Sequence, residues 1–202
     1  YAQEGEPGSG WWSFDPVREV DVPSVGSGAN SANSIDAFIR HRLKKEGISP
    51  AKPAPPAILA RRLHYDLLGL PPAPGVIEDF VRDPSPVAYT ELVDSLLAMP
   101  HYGERWARHW LDVARYGESN GFEYNEARRN AWPYRDWVIK ALNDDLPYDE
   151  FARMQLAGDI LKPGREGSAA VGFLVAGTHN SVLGAGDQMK RQARQDELEE
   201  IV

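Results

Sequence analysis

Residues 101–112, HYGERWARHWLD, decide the fold class, and the pattern continues as VARY to Tyr116. When residues are placed about 100° apart, as in an α-helix, the apolar and polar side chains separate onto opposite halves. We therefore predict a helix over 101–116, with one side on the core and the other facing solvent, a ligand or another domain. The apolar half holds Tyr102, Trp106, Ala107, Trp110, Leu111, Val113 and Ala114, and the polar half holds His101, Glu104, Arg105, Arg108, His109, Asp112, Arg115 and Tyr116.

Helical signals also dominate upstream of this stretch. Each segment combines a start residue, apolar positions at helical spacing, and a stop at Gly or Pro. Helices are predicted at 33–47, capped by Asn33 or Ser34, with Ile35, Phe38, Ile39 and Leu43 on one face; at 55–69, with Leu59, Leu63 and Leu67 buried; at 76–81; and at 85–100, capped by Ser85, with Tyr89, Leu92, Val93, Leu96 and Leu97 buried.

Downstream, residues 117–130 are too rich in Asn, Gly and Glu to be helical and form a polar loop. Further helices are predicted at 133–143, 148–157, 169–176 and 187–202. Residues 1–10 are predicted to be a linker, followed by an extended aromatic strap around Trp11, Trp12 and Phe14. We therefore predict an all-α fold, a single helical array over 11–202 with an extended aromatic N-terminal segment and long polar loops. Because the last helix ends on Ile201 and Val202 without a stop signal, we expect the domain to continue beyond residue 202.

Composition excludes several classes of function. The formal net charge is −8, from 22 basic and 30 acidic residues, which argues against a nucleic-acid partner. The sequence contains no apolar run of roughly 18 residues, so no membrane span is expected. It also contains no cysteine, which excludes disulfides, thiolate metal sites and covalent c-type haem attachment within these residues.

The sequence resembles the planctomycete-type, cytochrome-c-associated domains of unknown function, the DUF1549 or PSCyt2 family. The resemblance extends from about Trp11 to Val202, and residues 101–112 are its most specific stretch. The other stretches that carry it are Asn33–Ile39, Arg61–Leu63, Asp66–Pro72, Ala114–Tyr116, Tyr134–Ile139, Pro147–Asp149 and Gln155–Asp159.

The resemblance implies a large secreted or periplasmic bacterial protein, often with an N-terminal cytochrome-c-like domain. In such proteins a segment like Asp196–Val202 is soon followed by a Cys-x-x-Cys-His motif, and this sequence stops before that point. The resemblance therefore implies c-type haem in neighbouring segments of longer relatives, with no haem attachment and no other cofactor in this chain.

The polar face of the 101–116 helix is the main candidate functional surface, formed by His101, Arg105, His109, Asp112, Arg115 and Tyr116. Either histidine could act as a haem ligand or a proton shuttle for a neighbouring domain. The competing interpretation, which we favour, is a structural face in which Arg105, Arg108 and Arg115 pair with Glu104 and Asp112 and with carboxylates of adjacent helices. The two histidines are eight residues apart, about 12 Å along a helix, so they cannot share one metal ion.

Other candidates are weaker. A calcium site could use Glu118, Asn120, Glu123 and Asn125, although their spacing does not match the twelve-residue calcium loop, and a capped, solvated loop is the better interpretation. Asp112, Glu118, Asp136 and Asp159 could supply a carboxylate pair for glycoside hydrolysis, but no spacing brings two of them together. The Trp11–Phe14 strap could stack on carbohydrate or seal the core. We interpret Arg128 and Arg129 as solvated surface.

These observations favour a non-catalytic scaffold or docking module of a secreted multidomain protein linked to c-type cytochrome electron transfer. Its partners would be other domains of the same longer protein, including a c-type cytochrome domain. The alternative is part of a hydrolytic or redox active site for polysaccharide breakdown, completed by another domain. The periplasmic or extracellular location rests on the resemblance alone.

Overall fold

The computed structural model describes residues 18–24, 33–121, 125–178 and 191. It confirms the all-α prediction: regular structure in these residues is helical, apart from an isolated antiparallel bridge between Ser119 and Ala127. No helix in these ranges is long and apolar enough to cross a membrane. The predicted linker, the aromatic strap and, apart from residue 191, the final helix lie outside the described residues.

The chain divides into two compact units, residues 1–53 and 54–202. In the first, helix α1 spans Ser34–Lys45. Its cap is Asn33, as predicted, because the Asn33 side chain accepts a hydrogen bond of 2.8 Å from the backbone N–H of Asp36. Gly47 follows the helix with a φ of +66°, the left-handed conformation that favours glycine after a helix end.

The second unit contains the remaining described helices. They are α2 (Pro56–Leu68), α3 (Val76–Arg82), α4 (Pro86–Leu97), α5 (His101–Val113), α6 (Trp132–Asn143), α7 (Tyr148–Leu161) and α8 (Arg165–Ala170), and a 3₁₀ turn over Val171–Val175 follows α8. Ser85 caps α4 through its side-chain oxygen, as the sequence predicted. The α2–α4 group packs around Phe80 and Leu96, while the larger core lies between α5, α6, α7 and α8.

The larger core is aromatic. The rings of Trp137 and Phe151 stack with centroids 5.2 Å apart, and Trp110 meets Phe151 edge-on at 4.9 Å. Val138 and Ala170 are fully buried beside them. Such ring pairs stabilise a core beyond the area they bury, and they hold α5, α6 and α7 together.

A close backbone approach and a side-chain cap fix the packing of α5 on α6. A Cβ on Gly103 of α5 would lie 2.5 Å from the carbonyl oxygen of Ile139 in α6, so only glycine allows this contact. The Asn143 side chain then caps α5, accepting from the N–H of Gly103 at 2.8 Å and donating to the carbonyl of Pro100 at 3.1 Å. This cap comes from another helix, which is why no local capping signal precedes α5.

Several predicted burial patterns are wrong. In α2 the buried residues are Ala60, His64 and Leu68, while Leu59, Leu63 and Leu67 are half-buried. The register shifts because the small Ala60 and the His64 ring face the neighbouring helices, with His64 Nδ1 donating to the carbonyl of Ala60 at 2.9 Å. In α4, Tyr89 and Leu97 are exposed.

The C-terminal helices also differ from the prediction. The α7 helix runs to Leu161, but Ala157, where the prediction ended it, has non-helical backbone angles and kinks the helix. Gly158 follows the kink and packs directly on Gly167 of α8: a Cβ on Gly158 would lie 2.9 Å from the Gly167 carbonyl oxygen. The kink therefore brings two glycine backbones into contact and turns the chain into α8.

Candidate functional site

On α5, the expected pairing of arginines with Glu104 and Asp112 is not seen among the described residues. Neither Glu104 nor Asp112 makes an ion pair with any residue that the structure describes, and both are exposed. His101 is exposed as well. Within the described ranges, the two carboxylates therefore do not supply the ion pairs that this interpretation expected of them.

Arg105 packs against α2. A Cβ on Gly69, the left-handed residue that ends α2, would lie 2.8 Å from Arg105 Cδ. The aliphatic stem of Arg105 thus covers the end of α2, and its Nε is buried without a hydrogen-bond partner in the described part of the chain. The side chain is half-buried, so its main contribution is packing of the stem, as is common for long cationic residues.

His109 belongs to a row of rings along α5. Its ring lies 5.3 Å from that of Trp106, which lies 6.2 Å from that of Tyr102. Together with Val113 these residues recur at helical spacing, and we call them the outer stripe of α5. Val113 is 74% exposed and Trp106 40% exposed, which corrects the prediction that the whole apolar half of this helix faces the core.

Tyr116 lies apart from the other predicted residues. The helix ends at Val113, and Arg115 has a φ of +54°, the left-handed conformation that a helix end usually gives to glycine. The turn directs Tyr116 toward α6, where its ring lies 6.1 Å from that of Tyr134. Two cavities are described below, and among the residues of the predicted face only Tyr116 lines one of them.

Glu118 and Asp136 meet at Arg135. The Arg135 guanidinium bonds to Glu118 through Nη1 and to Asp136 at 2.9 Å and 3.0 Å through Nη2 and Nε. The Tyr116 hydroxyl donates to Glu118 at 3.1 Å. Burial raises the pKa of Tyr116 to about 12, with a further contribution from the Glu118 bond. The structure thus brings two of the proposed carboxylates to one arginine, and both accept hydrogen bonds from it.

Hydrogen bonds join the two described ends of the loop proposed for calcium. The N–H of Asn120 donates to the carbonyl of Glu126 at 2.9 Å, beside the Ser119–Ala127 bridge. The Asn125 side chain accepts from the N–H of Gly121 at 3.1 Å. Glu118 is bound by Arg135, and Glu123 lies outside the described residues. No cluster of His, Cys, Asp or Glu suited to a metal ion occurs in the described ranges.

A buried polar network lies at the centre of the larger core. The indole N–H of Trp110 donates to Gln155 Oε1 at 2.8 Å and to the Tyr134 hydroxyl oxygen at 3.0 Å. The Tyr134 hydroxyl donates to Gln155 Oε1 at 2.7 Å, and Gln155 Nε2 donates to the carbonyl of Phe151 at 3.1 Å. Burial raises the pKa of Tyr134 to about 12. Every polar group of the network has a partner, as a buried network requires.

A cavity of about 540 Å³ opens beside this network, and we call it the Arg-rimmed pocket. Its charged lining residues, among those described, are Arg128, Arg129 and Arg165, with no carboxylate. The other lining residues are mostly apolar or aromatic: Tyr116, Asn130, Ala131, Pro133, Tyr134, Ser168, Ala169, Gly172, Val175 and Ala176.

Arg128 builds the pocket wall. Its guanidinium donates to the carbonyls of Ala176 at 3.1 Å and Gly177 at 2.7 Å, and also to that of Val175. The interpretation of Arg128 as solvated surface was therefore wrong, because it is half-buried and ties the 117–130 loop to the 3₁₀ turn.

Sequence reasoning missed the residues that build this region. Gln155 carries a detectable signal, since it stands beside Met154 and four residues after Phe151 on a face otherwise predicted to be apolar. Arg165 carries none, because only the packing of α8 brings it to the pocket. A second cavity of about 420 Å³ lies between α2, α3 and α4, next to Leu59 and Tyr89. Neither cavity is lined by His109 or Asp112.

The comparisons with known proteins agree with the resemblance seen in the sequence. No curated protein and no solved structure matches the chain. A family model described as a protein of unknown function, DUF1549, matches residues 34–202, a range that includes all the helices described above. The chain therefore belongs to the PSCyt2 family.

Proposed function

We propose that the chain is a non-catalytic docking module that binds a c-type cytochrome domain through the outer stripe of α5. The observation that carries the proposal is the double-sided character of this helix. Gly103, Ala107 and Leu111 are buried against α6 and its neighbours, while Trp106 and Val113 are exposed on another side. A helix that packs on the core with one stripe and exposes an aromatic stripe on another side is suited to bind a partner protein through the exposed stripe.

The residue types of the outer stripe suit an interface. Tryptophan, tyrosine and histidine offer large contact areas with a polar edge, and tryptophan and tyrosine are enriched at the energetic centres of interfaces. Exposed charges flank the stripe, including Glu104 and Arg108. A central apolar patch with a polar rim is the usual anatomy of a protein interface.

The identity of the partner rests on two further points. The PSCyt2 family name points to association with cytochrome, and the family resemblance implies cytochrome-c-like domains in longer relatives. The net charge of −8 favours a partner of positive charge, because complementary charge accelerates association. We place the interaction in the periplasm or the extracellular space, a location that cell fractionation tests.

The test compares two tryptophans of similar exposure. Trp106 is 40% exposed in the outer stripe, and Trp132 is 43% exposed at the start of α6. Calorimetric titration would measure binding of the chain to a c-type cytochrome domain taken from a longer family member. We expect Trp106→Ala to weaken binding at least about tenfold and Trp132→Ala to change it less than about twofold.

The electrostatic part is tested in the same titration by raising the salt concentration. We expect the affinity to fall as ionic strength increases from about 50 mM to about 500 mM, because screening weakens the attraction between opposite charges. Absence of binding by the unaltered chain, or equal losses for the two tryptophan variants, overturns the proposal.

A further inference from the structure

The charge of the Arg-rimmed pocket is opposite to that of the chain. Acidic residues outnumber basic ones by 30 to 22 overall, yet the charged side chains that line the pocket within the described ranges are all arginines. Glu118, next to Tyr116 in the loop, is bound by Arg135, and Glu166, next to Arg165 in α8, is paired with Lys162 at 2.8 Å. The pocket is therefore a local region of positive potential in an acidic protein.

The arginines differ in what they do. The Arg128 guanidinium is occupied by the carbonyls of Val175, Ala176 and Gly177, at and just after the end of the 3₁₀ turn. Arg129 and Arg165 are exposed at the pocket and make no ion pair with any residue the structure describes. Two guanidinium groups without an ion-pair partner in the described ranges can bind a carboxylate, sulfonate or phosphate oxygen at the pocket.

The start of α6 adds to this potential. Ala131 and Pro133 line the pocket, and Ala131, which occupies the N-cap position of α6, provides no side-chain cap. The positive end of the α6 dipole therefore lies at the pocket wall, where it favours a negative charge. This contribution acts together with the arginines and is smaller than theirs.

The interior of the pocket is apolar. Tyr116 and Tyr134 supply ring surface, and Pro133, Ala169 and Val175 supply aliphatic surface. The volume of about 540 Å³ lies within the range of small-molecule sites, roughly 300–1,000 Å³. An inorganic anion would leave most of this surface uncovered.

We infer that the Arg-rimmed pocket binds a small organic anion, with its apolar body between the tyrosines and its acidic group at Arg129 and Arg165. Such a site is independent of docking through α5, because the outer stripe does not line the pocket. The ligand class is an organic acid with an aromatic or compact aliphatic body.

The test uses two fluorescent probes with the same kind of body and different charge. The anionic probe is 8-anilinonaphthalene-1-sulfonate, and the neutral probe is N-phenyl-1-naphthylamine. We expect the full chain to bind the anionic probe saturably at a single site. The double variant Arg129→Gln and Arg165→Gln should weaken this binding by about tenfold or more and change that of the neutral probe by less than about twofold.

Two further variants make the result specific. Arg62→Gln removes an exposed arginine of α2 away from the pocket and should leave both probes unaffected. Ser168→Trp places a large side chain at the pocket from an exposed position and should weaken both probes. Circular dichroism of each variant confirms that it is folded.

Competition defines the ligand class. 1-Naphthoate should displace the anionic probe, whereas neutral 1-naphthalenemethanol and inorganic phosphate at the same concentration should displace it at least about tenfold less well. The inference is overturned if the unaltered chain does not bind the anionic probe saturably, if Arg62→Gln weakens it as much as the double variant does, if Ser168→Trp has no effect, or if phosphate competes as well as naphthoate.

Discussion

Replacing Gln155 with leucine should strongly destabilise the protein, although the shape of the side chain changes little. Gln155 is only 2% exposed and accepts hydrogen bonds from both Trp110 and Tyr134. In Gln155→Leu, the Trp110 N–H keeps the Tyr134 oxygen as an acceptor, but the Tyr134 hydroxyl proton has none among the groups of the network. A buried donor left without an acceptor, here the Tyr134 hydroxyl, costs about 2 kcal/mol of stability. Loss of the hydrogen bond from Trp110 to Gln155 adds about 1 kcal/mol.

The expected loss in the free energy of unfolding is therefore about 3 kcal/mol. For a unit of this size it corresponds to a fall in Tm of about 6–12 °C. Urea unfolding followed by tryptophan fluorescence and circular dichroism measures the change. The matched control is Tyr134→Phe, which removes the hydroxyl but leaves Trp110 bonded to Gln155, and should cost only about 1 kcal/mol.

The double variant tests the reasoning most directly. With Tyr134→Phe and Gln155→Leu combined, no hydroxyl is left without an acceptor, but the Trp110 N–H loses both of its acceptors. We therefore expect a loss of about 3 kcal/mol instead of the additive value of about 4 kcal/mol. Strictly additive losses, or a Gln155→Leu protein within about 0.5 kcal/mol of the unaltered one, would refute the view that these side chains act as one network.

Two other predictions follow from the packing and the pKa values. Gly167→Ala should lower the free energy of unfolding by about 2–3 kcal/mol or more, because its Cβ would overlap the carbonyl oxygen of Gly158. The control is Gly177→Ala, which has open space at the Cβ position and should change the urea midpoint little. Similar losses of stability in the two variants would contradict the glycine contact. Burial raises the pKa of Tyr134 to about 12, above its usual value of about 10, so the unfolded chain releases this proton first and stability should fall as pH rises from about 10 to about 12. Tyr134→Phe should reduce that fall between pH 9 and pH 11.5 in urea titrations, while Tyr116, with a similar pKa, still contributes; an unchanged fall in the variant would show that Tyr134 is not responsible.

The helices from α1 to α7 could be predicted from the sequence, whereas α8 (Arg165–Ala170) and a 3₁₀ turn (Val171–Val175) replace the single helix predicted at 169–176. Asn33 and Ser85 cap their helices through bonds to residues three positions ahead, so a local signal was enough. The ends were less predictable where a non-glycine residue adopts the left-handed conformation. Arg115 ends α5 in this way, and nothing local distinguishes it from a helical arginine.

The candidate site depended much more on tertiary structure. Periodicity identified α5 as amphipathic, but it could not tell which apolar residues the other helices would cover, so Trp106 and Val113 were assigned to the core and are exposed. Arg129 and Arg165 are far apart in sequence, and only the packing of α8 beside the start of α6 brings them to one cavity.

The sequence by itself determined the helical class, the capped starts and the absence of cysteine chemistry, because these depend on short-range spacing and residue type. Tertiary structure alone decided that Trp110, Tyr134 and Gln155 form one buried network, since their hydrogen bonds join three different helices. It also decided that Arg128, which was predicted to lie on the solvated surface, forms part of the pocket wall. The physical reason is that helix periodicity encodes a face, whereas the partner of that face depends on where the rest of the chain packs.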